Sequence, residues 1–234
     1  MGGFASILQG NATWSAGCSI PRHRHARAYA ALIISGGYEE SGSFGRYRVR
    51  SGQALLHRAF DAHLDRFDPS GAQVLNLLLD EEPAFGWGSL ADPDTIARVA
   101  EKDVGSAVDA LNEQIEPLAP RPSDWPDVLA RDLLENPQLR LGDWAERFGL
   151  APATLSRGFG MVFATSPATF RAEARAQSAL ALLARGIPSL AEIAAAAGFA
   201  DQSHMTRAIG ALTGRPPGHW HRSNRFKTPP GTDP

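Results

Sequence analysis

Leu141-Gly-Asp-Trp-Ala-Glu-Arg-Phe-Gly-Leu150 is answered forty-nine positions on by Leu190-Ala-Glu-Ile-Ala-Ala-Ala-Ala-Gly-Phe199. After one inserted residue the correspondence continues at a spacing of fifty. Leu155-Ser-Arg157 matches Met205-Thr-Arg207, Phe159 matches Ile209, Pro167 matches Pro217, and Phe170 matches Trp220. Each copy spells a short helix, a turn containing glycine and a second helix, the pattern of a helix-turn-helix. The duplication predicts an all-α half able to present two reading helices to one face of DNA.

Local chemistry agrees with these boundaries. Ser189-Leu-Ala-Glu192 reads as a capping box that opens the first helix of the second copy. Gly198 supplies the left-handed turn after that helix, and Asp201 is placed to cap the next one. Ser166-Pro167 pairs a capping residue with proline at the first helical position and starts a long connecting helix over 168–185.

Ala191-Glu-Ile-Ala194, Gly198-Phe199, Asp201-Gln-Ser203, Arg207 and the pair Pro217/Trp220 together resemble the C-terminal signature of the AraC/XylS transcription regulators. The resemblance covers about residues 125–223. It implies two helix-turn-helix units whose second helices enter successive major grooves, about 34 Å apart on B-DNA. Carried over by position, the first reading helix spans about 152–163 and offers Ala153, Thr154, Ser156 and Arg157. The second spans about 201–213 and offers Gln202, Ser203, His204, Thr206 and Arg207. Arginine can grip guanine O6 and N7 with two hydrogen bonds or anchor a phosphate; the alternative is a solvent-facing ion pair. Gln202 suits adenine but equally suits a first-turn capping contact. The first copy departs from the family's pattern, with Ala151 in place of a capping Ser, Gly158 and Gly160 within the reading helix, and Ala164 in place of the closing Gly. Together these predict a first reading helix that is locally soft until it meets DNA.

The net charge of −2 conceals an asymmetry. Residues 1–130 carry 11 Lys/Arg against 17 Asp/Glu, whereas residues 131–227 carry 12 against 7. A basic C-terminal half fits a nucleic-acid partner. A single cysteine, Cys18, excludes an internal disulfide and reads as a small apolar residue. No apolar run reaches the roughly 20 residues needed to span a bilayer, so the expectation is a cytoplasmic protein with no membrane partner.

Ahead of the helical half, residues 13–80 read as β structure. Arg46-Tyr-Arg-Val-Arg50 alternates strictly, Ala30-Ala-Leu-Ile-Ile34 and Val74-Leu-Asn-Leu-Leu-Leu79 are short apolar runs, and glycines punctuate them at strand-length intervals. Residues 94–114 read as helical, with Ile96, Val99, Val104, Val108 and Leu111 on an apolar face that can serve as a dimer surface or cover the strands. Three prolines within 116–123 suggest a linker. The expected organisation is α+β by separate domains: a cupin-like effector domain over 1–92, a helical segment and linker over 93–123, a double helix-turn-helix domain over 124–225 and a flexible tail over 226–234.

The cupin expectation rests on two spacings. Gly17-x5-His23-x-His25-x3-Tyr29-x6-Gly36 is similar to the first cupin motif, and Gly52-x5-Arg58-x-Phe60-x2-His63 to the second. Tyr29 stands where the family carries Glu, and Arg58 and Phe60 stand where it carries Pro and Gly. The resemblance implies a small β-barrel. His23 and His25 lie two apart on a strand and share a face. If His63 joins them, three imidazoles can hold Zn²⁺ or another divalent transition metal, with His57 as a fourth member. A metal-free effector pocket and a structural histidine cluster are the alternatives. Trp14, Trp87 and Trp125 read as packing residues, and Glu39-Glu40 and Glu81-Glu82 as solvated turn charges.

The sequence therefore points to a DNA-binding transcription regulator that is not an enzyme. Its partners would be double-stranded promoter DNA, a small-molecule or metal effector, RNA polymerase if it activates, and a second copy if it dimerises. A metal-dependent cupin enzyme with an appended DNA-binding domain is the competing class; it requires a metal with an open coordination position.

Overall fold

The computed structural model describes residues 9–119, 122–136, 138–185 and 189–221; the tail expected at 226–234 lies outside them. The chain divides into two compact units, Met1–Arg121 and Pro122–Pro234.

The first unit is antiparallel throughout. Its strands are β1 (Gly10–Trp14), β2 (Ser19–Arg24), β3 (Tyr29–Gly42), β4 (Gly45–Arg50), β5 (Gln53–His57), β6 (Ala62–Leu78), β7 (Trp87–Leu90) and β8 (Ile115–Pro117). They follow the order β1-β6-β3-β5-β7-β8, with β2 also on β6 and β4 also on β3. That path has two ends, so the expected barrel takes the form of a sheet that does not close. The long strands β3 and β6 run side by side and carry different neighbours along their two halves.

Within β3 the alternation of faces slips. Tyr29, Ala31 and Ile33 belong to one apolar cluster, and so does Tyr38, although strict alternation from Tyr29 would put Tyr38 on the other side. Pairing to β6 shifts register between Ile33 and Ser35 and again between Gly36 and Tyr38. Backbone crowds this crossing. A Cβ at Gly36, where φ is 71°, would stand 2.0 Å from the Gly71 carbonyl oxygen, and one at Gly37 would stand 2.5 Å from that of Val49. Only glycine fits at either place, and the slip re-aims every side chain beyond it.

The opposite face carries Ala30, Leu32, Leu56, Leu75 and Leu77, covered by Ile96 of α1 (Pro93–Ala100) and by Ala107 and Leu111 of α2 (Val104–Gln114). The single helical stretch expected here is broken before Asp103, whose carboxylate accepts from the Gly105 amide and the Ser106 hydroxyl to start α2. The apolar face offered by the sequence as a dimer surface is thus taken up in covering the sheet. The proline-rich stretch expected as linker begins as β8, hydrogen-bonded to β7, with the Leu118 amide donating to the Trp87 carbonyl.

The second unit contains α3 (Trp125–Glu135), α4 (Leu141–Arg147), α5 (Pro152–Phe163), α6 (Pro167–Ala184), α7 (Leu190–Ala196), α8 (Gln202–Thr213) and α9 (Pro217–His221). The connecting helix α6 packs against α3, α5, α7, α8 and α9. Around the first copy, Leu129, Leu133, Trp144, Leu155, Phe159, Phe163 and Phe170 form a closed core. In the second copy Ile193, Met205, Ile209 and Trp220 are buried at the corresponding places. Gly149 (φ 63°) and Gly198 (φ 76°) make equivalent left-handed turns.

The two copies differ at their helix ends. Asp201 accepts from the His204 amide at 2.7 Å to cap α8, whereas Ala151 makes no such bond for α5. Gly214 closes α8 at φ 73°, while Ala164 closes α5 in the same left-handed conformation at φ 48°. The glycines within α5 do not behave alike, which revises the expectation that both soften it. A Cβ at Gly158 would lie 2.3 Å from Trp125 Cζ2, so that glycine seats α3 against α5. Gly160 has its counterpart in Gly210 of α8, so it does not distinguish the copies.

Leu111→Ala should lower stability in urea by about 2–5 kcal/mol, the range for emptying a core leucine site, with no change in oligomeric state by light scattering. Gly160→Ala and Gly210→Ala should each raise stability by about 0.5–1 kcal/mol, since neither new Cβ meets an atom closer than 3.8 Å beyond its own helix. Gly158→Ala should lower it. Ala151→Ser should add about 1 kcal/mol by restoring a cap, visible as slowed amide exchange confined to the first turn of α5.

Candidate functional site

The slip in β3 brings its polar residues onto the face of the sheet that lines a cavity of about 410 Å³. Trp14, stacked on Phe67 at 5.1 Å, forms an aromatic wall, and Ile20, Ala31 and Val74 add apolar surface. Trp14 is thus a cavity wall as well as the packing residue expected. Ala12 and Pro21 add further apolar surface, and the polar lining is Arg22, His23, His25, Tyr29, Tyr38, Glu40, His63, Asp65 and Asn76.

The histidines come together as the spacing predicts. β2 pairs with β6 so that His23 lies opposite His63, and β5 pairs with β3 so that His57 lies opposite Tyr29. His23 Nε2 is 3.1 Å from His25 Nε2, and His23 Nδ1 is 2.9 Å from the Pro21 carbonyl. Tyr29 stacks on the His57 ring at 4.3 Å and places its hydroxyl 3.2 Å from His63 Nε2. The turn joining β5 to β6 is held by three bonds: the Phe60 amide to the His25 carbonyl, the Arg58 amide to the Asp61 carboxylate, and the Ala59 amide to the Glu82 carboxylate. Phe60 adopts φ 67° at the place where the cupin motif has Gly. The left-handed backbone survives without the residue that makes it easy, at a strain of roughly 1–2 kcal/mol.

One sequence expectation needs correction here. Glu40 is not a solvated turn charge: it is 4% exposed, 3.4 Å from His57 Nε2, and in contact with the Asp65 carboxyl. Glu82 is exposed as expected, and its carboxylate also accepts from the Ala59 amide of the β5–β6 turn. Glu40 escapes sequence reading because its face depends on the register slip; Gly36-Gly37 is the only trace of that slip in the sequence.

Burial governs the protonation of this cluster. Desolvation, reinforced by the neighbouring imidazoles, pushes His57 down to about 3 and His63 well below its ordinary value, and desolvation also lowers His23. Desolvation raises Glu40, with Asp65 as the next cause, and raises Asp65 and Asp61 as well. Neutral imidazoles beside proton-holding carboxyls favour a cation or a hydrogen-bonding ligand. Donor atoms of His23, His25 and His63 lie within 4.8 Å of one another, and so do those of Glu40, His57 and His63. Two nitrogens on one zinc are about 3.3 Å apart at ordinary bond lengths, so the three-histidine set fits a divalent transition metal after small side-chain movements.

In the second unit, Ala153, Thr154, Ser156 and Arg157 are exposed along α5, and Gln202, Ser203, His204 and Arg207 along α8; Thr206 is half-buried. The His204 ring also packs edge-on against Phe199. Neither Arg157 nor Arg207 has an ion-pair partner among the described residues, which leaves their guanidinium groups available to an outside acceptor. No helix among the described residues is long and apolar enough to cross a membrane.

A family model described as a helix-turn-helix domain matches residues 144–223. No curated protein matches the chain. Among solved structures, ToxT from Vibrio cholerae O395 is 10% identical over 94% of this chain and 97% of its own, with a TM-score of 0.40. The C-terminal domain of AraT, a response regulator from Geobacillus stearothermophilus, is 22% identical over 42% of this chain and 83% of its own, at 0.39. A probable AraC family transcriptional regulator from Rhodopseudomonas palustris is 20% identical over 40% of this chain and 91% of its own, at 0.38. The sequence signature, the repeated helix pairs and the matching family model converge, and residues 144–223 are a helix-turn-helix domain of the AraC type.

Proposed function

We propose that the chain is a sequence-specific DNA-binding transcription regulator that reads its site with α5 and α8. One observation carries this reading. Arg157 and Arg207 occupy equivalent places on equivalent helices of a duplicated helix-turn-helix, and both are exposed without an ion-pair partner among the described residues. Thr154 and Ser156 on α5, and Gln202, Ser203, His204 and Thr206 on α8, complete the contact set. The half-buried Thr206 and the Phe199-packed His204 are suited to shaping the reading surface, leaving Gln202, Ser203 and Arg207 as the freer base readers.

The N-terminal cavity is the effector site in this reading. Its aromatic wall and polar end suit a small organic molecule or a metal ion held by His23, His25 and His63. An effector changes DNA occupancy only if it binds two states of the protein with different affinity. RNA polymerase is the further partner if the protein activates. A second copy would have to use a surface other than the apolar face of α1 and α2.

Salt-dependent gel shifts on the DNA upstream of its own coding sequence test the reading. Each phosphate neutralised should steepen the dependence of log affinity on log salt by roughly 0.9, so specific binding should collapse over a modest salt range. Arg207→Ala should weaken binding by about tenfold or more, the scale of one lost bidentate contact. Arg157→Ala should cost less, because α5 lacks the cap that orders α8. Equal losses or the reverse order would remove the link between helix quality and reading. No specific shift at its own or neighbouring promoters would overturn the regulator itself.

A further inference from the structure

The cluster behind the cavity holds a donor set that the motif spacings do not describe. We propose that Glu40, His57 and His63 form a binding site for a divalent transition metal, distinct from the set His23, His25 and His63 that the cupin resemblance implies. The proposal is independent of whether the protein reads DNA.

Four observations carry it. Glu40, His57 and His63 are 4%, 5% and 3% exposed, yet polar atoms among them are left without hydrogen bonds. His57 Nε2 is 3.4 Å from Glu40 Oε2 but makes no hydrogen bond in the structure. Two donors at that separation are spaced as two ligands of one ion with bonds of about 2.1 Å. His63 engages Tyr29 through Nε2 and leaves Nδ1 unpartnered. In the competing set, by contrast, His23 Nε2 and His25 Nε2 already hydrogen-bond each other at 3.1 Å, whereas His57 Nε2 and His63 Nδ1 have no such partner.

Charge points the same way. Three neutral imidazoles would leave a buried dication uncompensated, whereas Glu40, neutral in the empty site, can release its proton as the ion binds and then supply a formal negative charge next to it. The surroundings are those of an oriented ligand set. Tyr29 stacks on His57 and reaches His63, and the Asp65 carboxyl contacts Glu40. Partners of this kind fix ligand orientation. Tyr29 occupies the motif position where a carboxylate is missing, and Glu40 brings one in from further along the same strand. Glu40 and His63 also line the cavity, which gives the ion a route in and leaves room for a water or an effector atom as a further donor.

The test uses the full chain, stripped with a chelator and titrated with Co²⁺ or Zn²⁺ alone. Calorimetry should show one tight site in the wild type. Glu40→Gln and His57→Gln should each weaken it by about a hundredfold, at or beyond the loss typical of removing a supporting partner. The double variant His23→Gln/His25→Gln should keep one bound ion. X-ray absorption of the zinc-loaded wild type should count two imidazoles with oxygen donors; this readout needs no variant to fold. Three imidazoles, metal loss in the His23/His25 double variant with retention in Glu40→Gln, or no binding by the wild type at micromolar metal would each overturn the proposal.

Discussion

The slip in β3 is the constraint on which the N-terminal site depends. A strand that alternated without interruption from Tyr29 would turn Glu40 away from the histidines. The slip is enforced by backbone atoms: the Gly71 and Val49 carbonyl oxygens approach so closely that no side chain fits at Gly36 or Gly37. Once the chain crosses there, Tyr38 and Glu40 join the face of Tyr29, and acids and imidazoles share one desolvated space. The shifts of His57, His63, Glu40 and Asp65 toward their neutral forms follow from that confinement, since each charged form loses its water.

Covering the sheet is the second organising requirement. β3, β5 and β6 expose apolar residues on the face away from the cavity, and α1 and α2 provide the lid in the form of Ile96, Ala107 and Leu111. This leaves the first unit with a dry layer on one side and a polar-ended cavity on the other. The apolar layer holds the scaffold and leaves the polar groups to the cavity side.

Legibility in the sequence follows the range of the interactions concerned. The duplicated helix pairs are read easily, because helix period, capping residues and turn glycines act within a few positions. The convergence of His23, His25 and His63 is also readable, since two motif spacings encode it. Glu40 is hidden, because its face is decided by a register shift several residues earlier. β8 is hidden by the run of prolines that begins at its last residue and suggests a linker, although Ile115–Pro117 pairs with β7. The broken helix at Asp103 is missed for a subtler reason. An apolar stripe runs through 96–111 whether or not the backbone is continuous, and only the Asp103 cap reveals the restart. In the second unit, reading Gly158 as a weakness ignores a tryptophan thirty-three positions away that needs the space.

That last contact has a consequence for how this sequence can vary. Trp125 and Gly158 form a matched pair in which the bulk of one sets the limit on the other. A larger residue at 158 is tolerable only if 125 shrinks, and a smaller residue at 125 leaves a void that a glycine cannot fill. The two positions are therefore expected to drift together among descendants of this chain, whereas the second copy has Ala208 at the place equivalent to Gly158.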